Sequence, residues 1–129
     1  MSRPISLIQG SLDLLILSTL QIRSGHAWGI RKRIHEVSRN LLHIPEGSLY
    51  PSLYRMEKQG WVVAEWSESG SRRTKIYSIT MAGSEHVRSE IEQFLRVGQG
   101  IYYVIDDAGL AVPPRLPTAG SAAGDVPAA

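Results

Sequence analysis

The apolar residues in the first third of the chain recur at helical spacing, not at the alternating spacing of a strand. A leucine-rich segment follows Ser11, which can cap a helix that ends near Ser24, just before Gly25. Because this segment is apolar nearly all round, we expect it at the centre of the core. A second helix is predicted from about Ala27 to Arg39. The residues expected on its buried face are Trp28, Ile30, Ile34 and Val37.

A third helical segment has an apolar stripe formed by Leu49, Leu53 and Met56, and Gly60 closes it. This segment also contains Pro51, and a proline inside a helix normally costs about 3 kcal/mol or more.

The sequence leaves two positions open for this proline. If Ser48 caps the helix, Pro51 falls in the first turn, where its missing N–H removes no helical hydrogen bond. If the helix begins at Pro45 instead, Pro51 lies one turn further in and must distort the turn near Gly47.

The pattern changes after this helix. Residues 61–66 are rich in β-branched and aromatic side chains and predict a strand, and residues 75–79 predict the return strand. Residues 67–74 are polar and predict the turn of a hairpin. Thr80 is then expected to cap a long helix over residues 81–106.

Three helices, a two-stranded hairpin and one long helix form the layout of a winged helix-turn-helix, with the hairpin as the wing. The predicted fold class is mainly α with a small β-hairpin (α+β), comprising a winged helix-turn-helix plus a long C-terminal dimerisation helix. The predicted boundaries are 1–80 for the DNA-binding domain and 81–107 for the dimerisation helix. Residues 108–129 are rich in Pro, Ala and Gly and are expected to be disordered.

The last helix has a heptad-like apolar seam, which predicts self-association into a homodimer. The alternative is that the helix only packs back on the first helix. Gly98 and Gly100 each weaken a helix by about 1 kcal/mol relative to alanine, and they can mark a bend or a close crossing. The residues predicted at the dimer interface are Val87, Ile91, Phe94, Leu95, Ile101, Val104 and Ile105.

Charge is unevenly distributed along the chain. Residues 21–75 hold ten Lys or Arg and five Glu, a net charge of +5, whereas residues 76–110 have a net charge of −3. This asymmetry favours a polyanionic partner for the middle of the chain. An unevenly charged but merely solvated surface is the alternative.

The outer face of the third helix mixes hydroxyls, phenols and cations, which can contact base edges and phosphates. An ordinary amphipathic helix, and a charged hairpin end that only aids solubility, are the alternatives. The predicted reading-helix contacts are Ser48, Tyr50, Pro51, Ser52, Tyr54 and Arg55. The predicted phosphate and wing contacts are Lys32, Lys58, Arg72, Arg73 and Lys75.

Several classes of function are disfavoured. The chain has no cysteine, which excludes disulfides and zinc–thiolate sites. It contains no nucleophile elbow, P-loop or dinucleotide-binding fingerprint, so we expect neither an enzyme nor a bound cofactor. His86 and Glu90 have helical metal-ligand spacing, but two ligands make a weak signal and we predict no metal site. No stretch is long enough to span a membrane, so a cytoplasmic protein is predicted.

The run PEGSLYPSLYRMEKQGWV, residues 45–62, resembles the PadR-like family of bacterial transcriptional regulators. The segments GSLDLLIL at 10–17 and RRTKIYSITMAG at 72–83 also resemble that family, so that the similarity covers about residues 7–106. One departure is Ala27, where the family often has glycine before the second helix.

The resemblance implies a homodimeric repressor of transcription that a small-molecule effector releases from DNA. A dimer would place two reading helices in successive major grooves about 34 Å apart, which predicts an inverted-repeat operator. Trp28 and Trp66 are candidates for an aromatic effector site, although packing in the core and wing would also explain them. The competing function is a winged-helix module for protein–protein contact without DNA binding.

Overall fold

The computed structural model describes residues 11–69 and 71–110. Its helices and strands follow the predicted order, which confirms the predicted fold class. The chain divides after Val87 into two compact units. The elements are α1 (Ser11–Ile22), α2 (Ala27–Val37), α3 (Glu46–Lys58), β1 (Val62–Ser69), β2 (Arg72–Ile79) and α4 (Met81–Asp107). Most of the predicted tail, from residue 111 onward, lies outside the described residues.

One apolar core holds together the three N-terminal helices, the base of the hairpin and the start of α4. Helix α1 contributes Ile16, Leu17 and Leu20 to it, as expected for the leucine-rich segment. Burial of side chains of this size contributes about 1.5–3 kcal/mol each. The other buried members are Ala27, Ile30, Ile34, Ile44, Leu49, Leu53, Met56, Val62, Tyr77 and Val87.

The predicted buried face of α2 is half wrong. Ile30 and Ile34 are buried, but Trp28 is 60 % exposed and Val37 is also exposed. Trp28 projects from the side of the helix away from Ile30 and Ile34, since each residue advances by about 100°. Val37 is the last helical residue and extends beyond the core.

The hairpin strands are longer than the sequence predicted. They pair antiparallel from Val62 opposite Ile79 to Ser69 opposite Arg72, so six of the eight residues predicted as turn belong to strands. The residues toward the tip are polar or charged and solvated, which removes the apolar alternation that identifies a strand. A short third segment joins the sheet, because Gly25 and Tyr77 exchange two backbone hydrogen bonds of 3.1 and 2.9 Å.

Helix α4 begins as predicted. The Thr80 hydroxyl accepts a hydrogen bond from the Gly83 N–H at 3.0 Å and donates to the Gly60 carbonyl at 2.7 Å. The helix runs without interruption through Gly98 and Gly100. Val87, which was predicted at the dimer interface, is instead buried in the core of its own unit, so that prediction is wrong.

Candidate nucleic-acid interface

The third helix begins earlier than a Ser48 cap would allow. Pro45 is its N-cap residue and Glu46 its first helical residue, which places Pro51 in the helix interior. Proline has no N–H, so the Gly47 carbonyl four residues earlier lacks its usual intrahelical donor. Both residues are exposed, so this carbonyl lies at the surface where water or another molecule can bond it.

An exposed row of side chains that includes Pro51 runs along one side of α3. Tyr50 and Tyr54 are 60 % and 61 % exposed, and Lys58 continues the same row at a spacing of four residues. The Lys58 ammonium lies 5.3 Å from the centre of the Tyr54 ring, within cation–π range. Leu49, Leu53 and Met56 are buried on the opposite side, as predicted. We refer to Tyr50, Pro51, Tyr54 and Lys58 as the α3 stripe.

Ser52 does not belong to the α3 stripe. Its side chain is only 7 % exposed, because it lies on the flank of the helix beside Met56 and is covered together with the core residues. It cannot reach a groove, and the prediction that it contacts DNA is wrong. Ser48 is half-buried and lies nearer the edge of the helix.

Arg55 is held by an acidic residue of α1. Its two terminal guanidinium nitrogens donate to the two Asp13 carboxylate oxygens at 2.7 and 3.0 Å. This bidentate pair raises the pKa of the Arg55 guanidinium above its ordinary value, chiefly through the hydrogen bond to Asp13. Arg55, which was predicted to contact DNA, is half-exposed, and its pair with Asp13 links α3 to α1. Asp13 is the only carboxylate in the leucine-rich α1 segment, and such an isolated charge is the sequence feature that indicates an ion pair.

The wing combines an indole with two cations. Trp66 lies opposite Lys75 in the strand register, and Glu68 lies opposite Arg73, so these four side chains share one face of the hairpin. The Arg73 guanidinium lies 4.4 Å from the centre of the Trp66 ring, and it also approaches Glu68 at 3.8 Å. Arg72 begins β2 and is exposed. The arginines predicted at the wing thus lie toward its tip.

Lys75 links the wing to α3. Its ammonium lies 3.6 Å from a Glu57 carboxylate oxygen, and it also lies 5.7 Å from the centre of the buried Tyr77 ring. Burial raises the pKa of the Tyr77 phenol, and the nearby Glu57 charge and Tyr50 raise it further. Lys75 was predicted to contact phosphate, but its charge is already shared with Glu57. The pair links the wing to α3.

The two tryptophans predicted at an effector site lie on different elements. Trp28 lies at the start of α2, where the Lys32 ammonium is 5.1 Å from its ring centre. Trp66 lies on the wing, and no ring contact joins it to Trp28 in the part of the chain that the structure describes. His26 caps α2, because its Nδ1 accepts a hydrogen bond from the Gly29 N–H at 2.9 Å.

Neither a metal cluster nor a membrane span is found among residues 11–69 and 71–110. No three His, Asp or Glu side chains there converge as metal ligands. His86 instead stacks on Trp61 with a ring separation of 3.7 Å. None of the helices in this part of the chain combines the length and the apolar character needed to cross a bilayer.

Comparison with known proteins agrees with this architecture. The model of the transcriptional regulator PadR-like family matches residues 16–89. A transcriptional regulator from Clostridium thermocellum is 28 % identical, with a TM-score of 0.71 over 74 % of this chain and 94 % of its own. A PadR family transcriptional regulator from Eggerthella lenta is 27 % identical, with a TM-score of 0.68 over 75 % of this chain and 83 % of its own.

A further solved structure is that of Bacillus subtilis PadR in complex with operator DNA. It is 17 % identical to this chain, with a TM-score of 0.60 over 66 % of this chain and 48 % of its own. At this identity the similarity shows a shared fold.

Proposed function

The chain belongs to the PadR-like family of transcriptional regulators, and from this premise we propose that it binds double-stranded DNA sequence-specifically through the α3 stripe and the wing. The observation that carries the proposal is the α3 stripe itself. Two exposed tyrosines and a lysine project from one side of a helix whose other side is buried in the core. Phenol hydroxyls can bond base edges or phosphates, and lysine neutralises phosphate.

The wing supports the same function. Arg72 and Arg73 lie toward the tip of the hairpin, where cations can contact the DNA backbone or minor groove. The tie between Lys75 and Glu57 stabilises the placement of the wing beside α3. The Bacillus subtilis relative of the same fold, solved with operator DNA, is consistent with this use of the architecture. We therefore assign recognition to α3 and backbone contact to the wing arginines.

Replacing both Arg72 and Arg73 with alanine is expected to weaken binding to every DNA sequence by a similar factor. The slope of log K against log salt should decrease by about 1.8, since each lost phosphate contact removes about 0.9. Fluorescence anisotropy of labelled duplexes at several salt concentrations measures this slope. Replacing Arg88 and Arg96 of α4 with alanine removes the same charge and should leave the slope unchanged. An unchanged slope in the wing variant would contradict the wing assignment.

We further propose that residues 1–80 form the DNA-binding domain and that the later part of α4 joins two copies into a homodimer. Past Val87, helix α4 carries large apolar side chains that are exposed in a single chain. Exposed apolar seams of this kind are typical of helical dimer interfaces. The members of the predicted seam that the structure leaves exposed are Ile91, Phe94, Ile101 and Val104, with Leu95 and Ile105 partly covered. Two copies would present two α3 stripes to an inverted-repeat operator.

Ile101→Asp is expected to shift the protein toward monomers, because it places an unpaired charge in the apolar seam. Tyr103→Asp is the matched control, since Tyr103 lies nearly opposite the seam on the helical wheel. The two side chains are 54 % and 63 % exposed in a single chain, so both substitutions should be tolerated by the fold. Sedimentation velocity should show a dissociation constant raised at least about 100-fold for Ile101→Asp only. Equal dimerisation of both variants would contradict the proposed seam.

Repression relieved by an aromatic effector is the regulatory part of the proposal. Trp66 supports it because its ring is accessible and already binds a guanidinium, so an aromatic acid can compete with Arg73 for the same surface. Trp28 offers a second accessible indole. An aromatic acid should quench tryptophan fluorescence and release DNA in the same titration, and Trp66→Phe should abolish both effects. Release of DNA that is unaffected by Trp66→Phe and by Trp28→Phe would contradict these assignments.

A further inference from the structure

Glu57 lies on the same side of α3 as the tyrosines of the α3 stripe. It follows Tyr50 by seven residues and Tyr54 by three, and both spacings return to one side of a helix. The Tyr77 phenol of the wing supports this arrangement, because burial raises its pKa and the nearby Glu57 charge and Tyr50 raise it further. A carboxylate on a surface that faces DNA is unfavourable, since phosphates repel it. Glu57 is therefore an acidic side chain beside a surface where cations are expected.

The Lys75 ammonium neutralises this carboxylate from the wing. It lies 3.6 Å from Glu57 Oε1, 5.7 Å from the centre of the Tyr77 ring and 5.8 Å from the centre of the Trp66 ring. A cation within about 6 Å of an aromatic ring centre, over the ring face, is attracted to it. One anion and two aromatic rings therefore keep the ammonium between the wing and α3.

Arg73, on the same strand, pairs with a more exposed carboxylate. Its guanidinium lies 3.8 Å from Glu68, and the two side chains are 60 % and 74 % exposed. The side chains of Lys75 and Glu57 are only 35 % and 29 % exposed. Ion pairs between exposed side chains contribute little, and partly buried pairs are screened less by salt. A DNA phosphate can therefore bind Arg73 more easily than Lys75.

A cation that is free to neutralise phosphate raises affinity for every DNA sequence, because the phosphate backbone is the same in all of them. Selectivity improves when a protein withholds such contacts from the wrong partner. We propose that Glu57 raises the sequence specificity of the protein by keeping the Lys75 ammonium away from the DNA backbone. The proposal rests on the DNA binding proposed above, and in it Glu57 is a positioning residue that acts through Lys75.

The effect should be larger for unrelated DNA than for an operator. In a complex without base contacts the wing can shift until a released ammonium meets a phosphate. In the operator complex, base contacts to α3 restrict this shift, and base contacts carry the specificity. Release of Lys75 therefore strengthens the wrong complexes more than the right one.

Glu57→Gln tests the proposal, since it removes the charge and keeps the length of the side chain. Fluorescence anisotropy compares a labelled duplex from upstream of the protein's own gene with a scrambled duplex of equal length. With the scrambled duplex, the slope of log K against log salt should become steeper by about 0.9, the contribution of one phosphate contact. Affinity for that duplex at low salt should rise at least about threefold, and the preference for the upstream duplex should fall.

Two further variants serve as controls. Glu92→Gln makes the same change of charge at an exposed position of α4, nearly opposite the apolar seam, and should leave slope and preference unchanged. Glu57→Gln combined with Lys75→Gln removes the released cation and should restore the wild-type slope. If Lys75 already contacts phosphate in wild type, this double variant should instead fall below the wild-type slope by about 0.9. That result would contradict the proposal even if Glu57→Gln alone folds poorly.

The remaining outcomes separate this proposal from the function on which it rests. If wild type binds DNA and Glu57→Gln has an unchanged slope, or binds both duplexes more weakly, the pair only supports the wing and the proposal is overturned. If wild type binds neither duplex at low salt, the proposed DNA-binding function fails, and the role of Glu57 fails with it.

Discussion

Replacing Gly83 with alanine is expected to lower the free energy of unfolding by about 3 kcal/mol. A β-carbon at this position would overlap the Trp61 carbonyl oxygen and would lie 2.9 Å from Ile79 Cγ1. That carbonyl cannot easily move away, because it accepts the Thr80 N–H at 3.0 Å and so fixes the junction between the wing and α4. The clash is with backbone, which cannot adjust as a flexible side chain does.

The matched control lies on the same helix. Gly100→Ala meets no atom within 4 Å in a single chain and should raise the free energy of unfolding by about 0.5–1 kcal/mol through better helix propensity. Urea denaturation followed by circular dichroism, at one fixed protein concentration, measures both changes. The two substitutions should therefore differ in sign. Destabilisation of similar size by both would show that helix propensity, and not the close approach to Trp61, governs position 83.

The contact at Gly83 illustrates what the sequence could and could not predict. Strong local patterns predicted the elements: the leucine-rich α1, the stripe of α3 and the Thr80 cap all appear as expected. The close approach of α4 to Trp61 depends on how two distant segments pack, and no local pattern encodes it. The outer part of the wing strands, toward the tip, was likewise missed, because solvated strands lack an apolar alternation.

The same distinction applies to the candidate interface. A helical wheel correctly predicted that Tyr50 and Tyr54 are exposed. It does not give the width of the buried face, and so it predicted Ser52 as exposed although that side chain is buried. The distribution of charge along the sequence does not show which cationic side chains form ion pairs in the folded chain. Arg55 and Lys75 looked available in the sequence, whereas tertiary partners on α1 and α3 hold them.

Tyr54→Ala is expected to reduce affinity for the operator by about 10- to 100-fold, which corresponds to the roughly 1–3 kcal/mol of discrimination that a good base contact provides. Tyr54 occupies the middle of the α3 stripe, and its ring also supports the Lys58 ammonium. Because the ring is exposed, its removal should leave the fold intact. Binding to unrelated DNA, which depends on phosphate contacts, should weaken much less.

Gln59→Ala provides the control for Tyr54→Ala. Gln59 follows α3 directly and is also exposed, but it lies away from the α3 stripe. Its replacement should leave both specific and non-specific binding unchanged. Circular dichroism and thermal unfolding of the two variants should match wild type, so that any change in affinity reflects lost contact with DNA.

The most direct test of the proposed function is a fluorescence anisotropy titration with two labelled duplexes. One comes from the DNA upstream of the protein's own gene, and the other is a scrambled duplex of equal length. The proposed function predicts a salt-sensitive complex that is at least about tenfold tighter with the upstream duplex. Tyr54→Ala should lose that preference, and Gln59→Ala should keep it. Absence of any complex at low salt would contradict DNA binding and favour a winged-helix module that contacts other proteins.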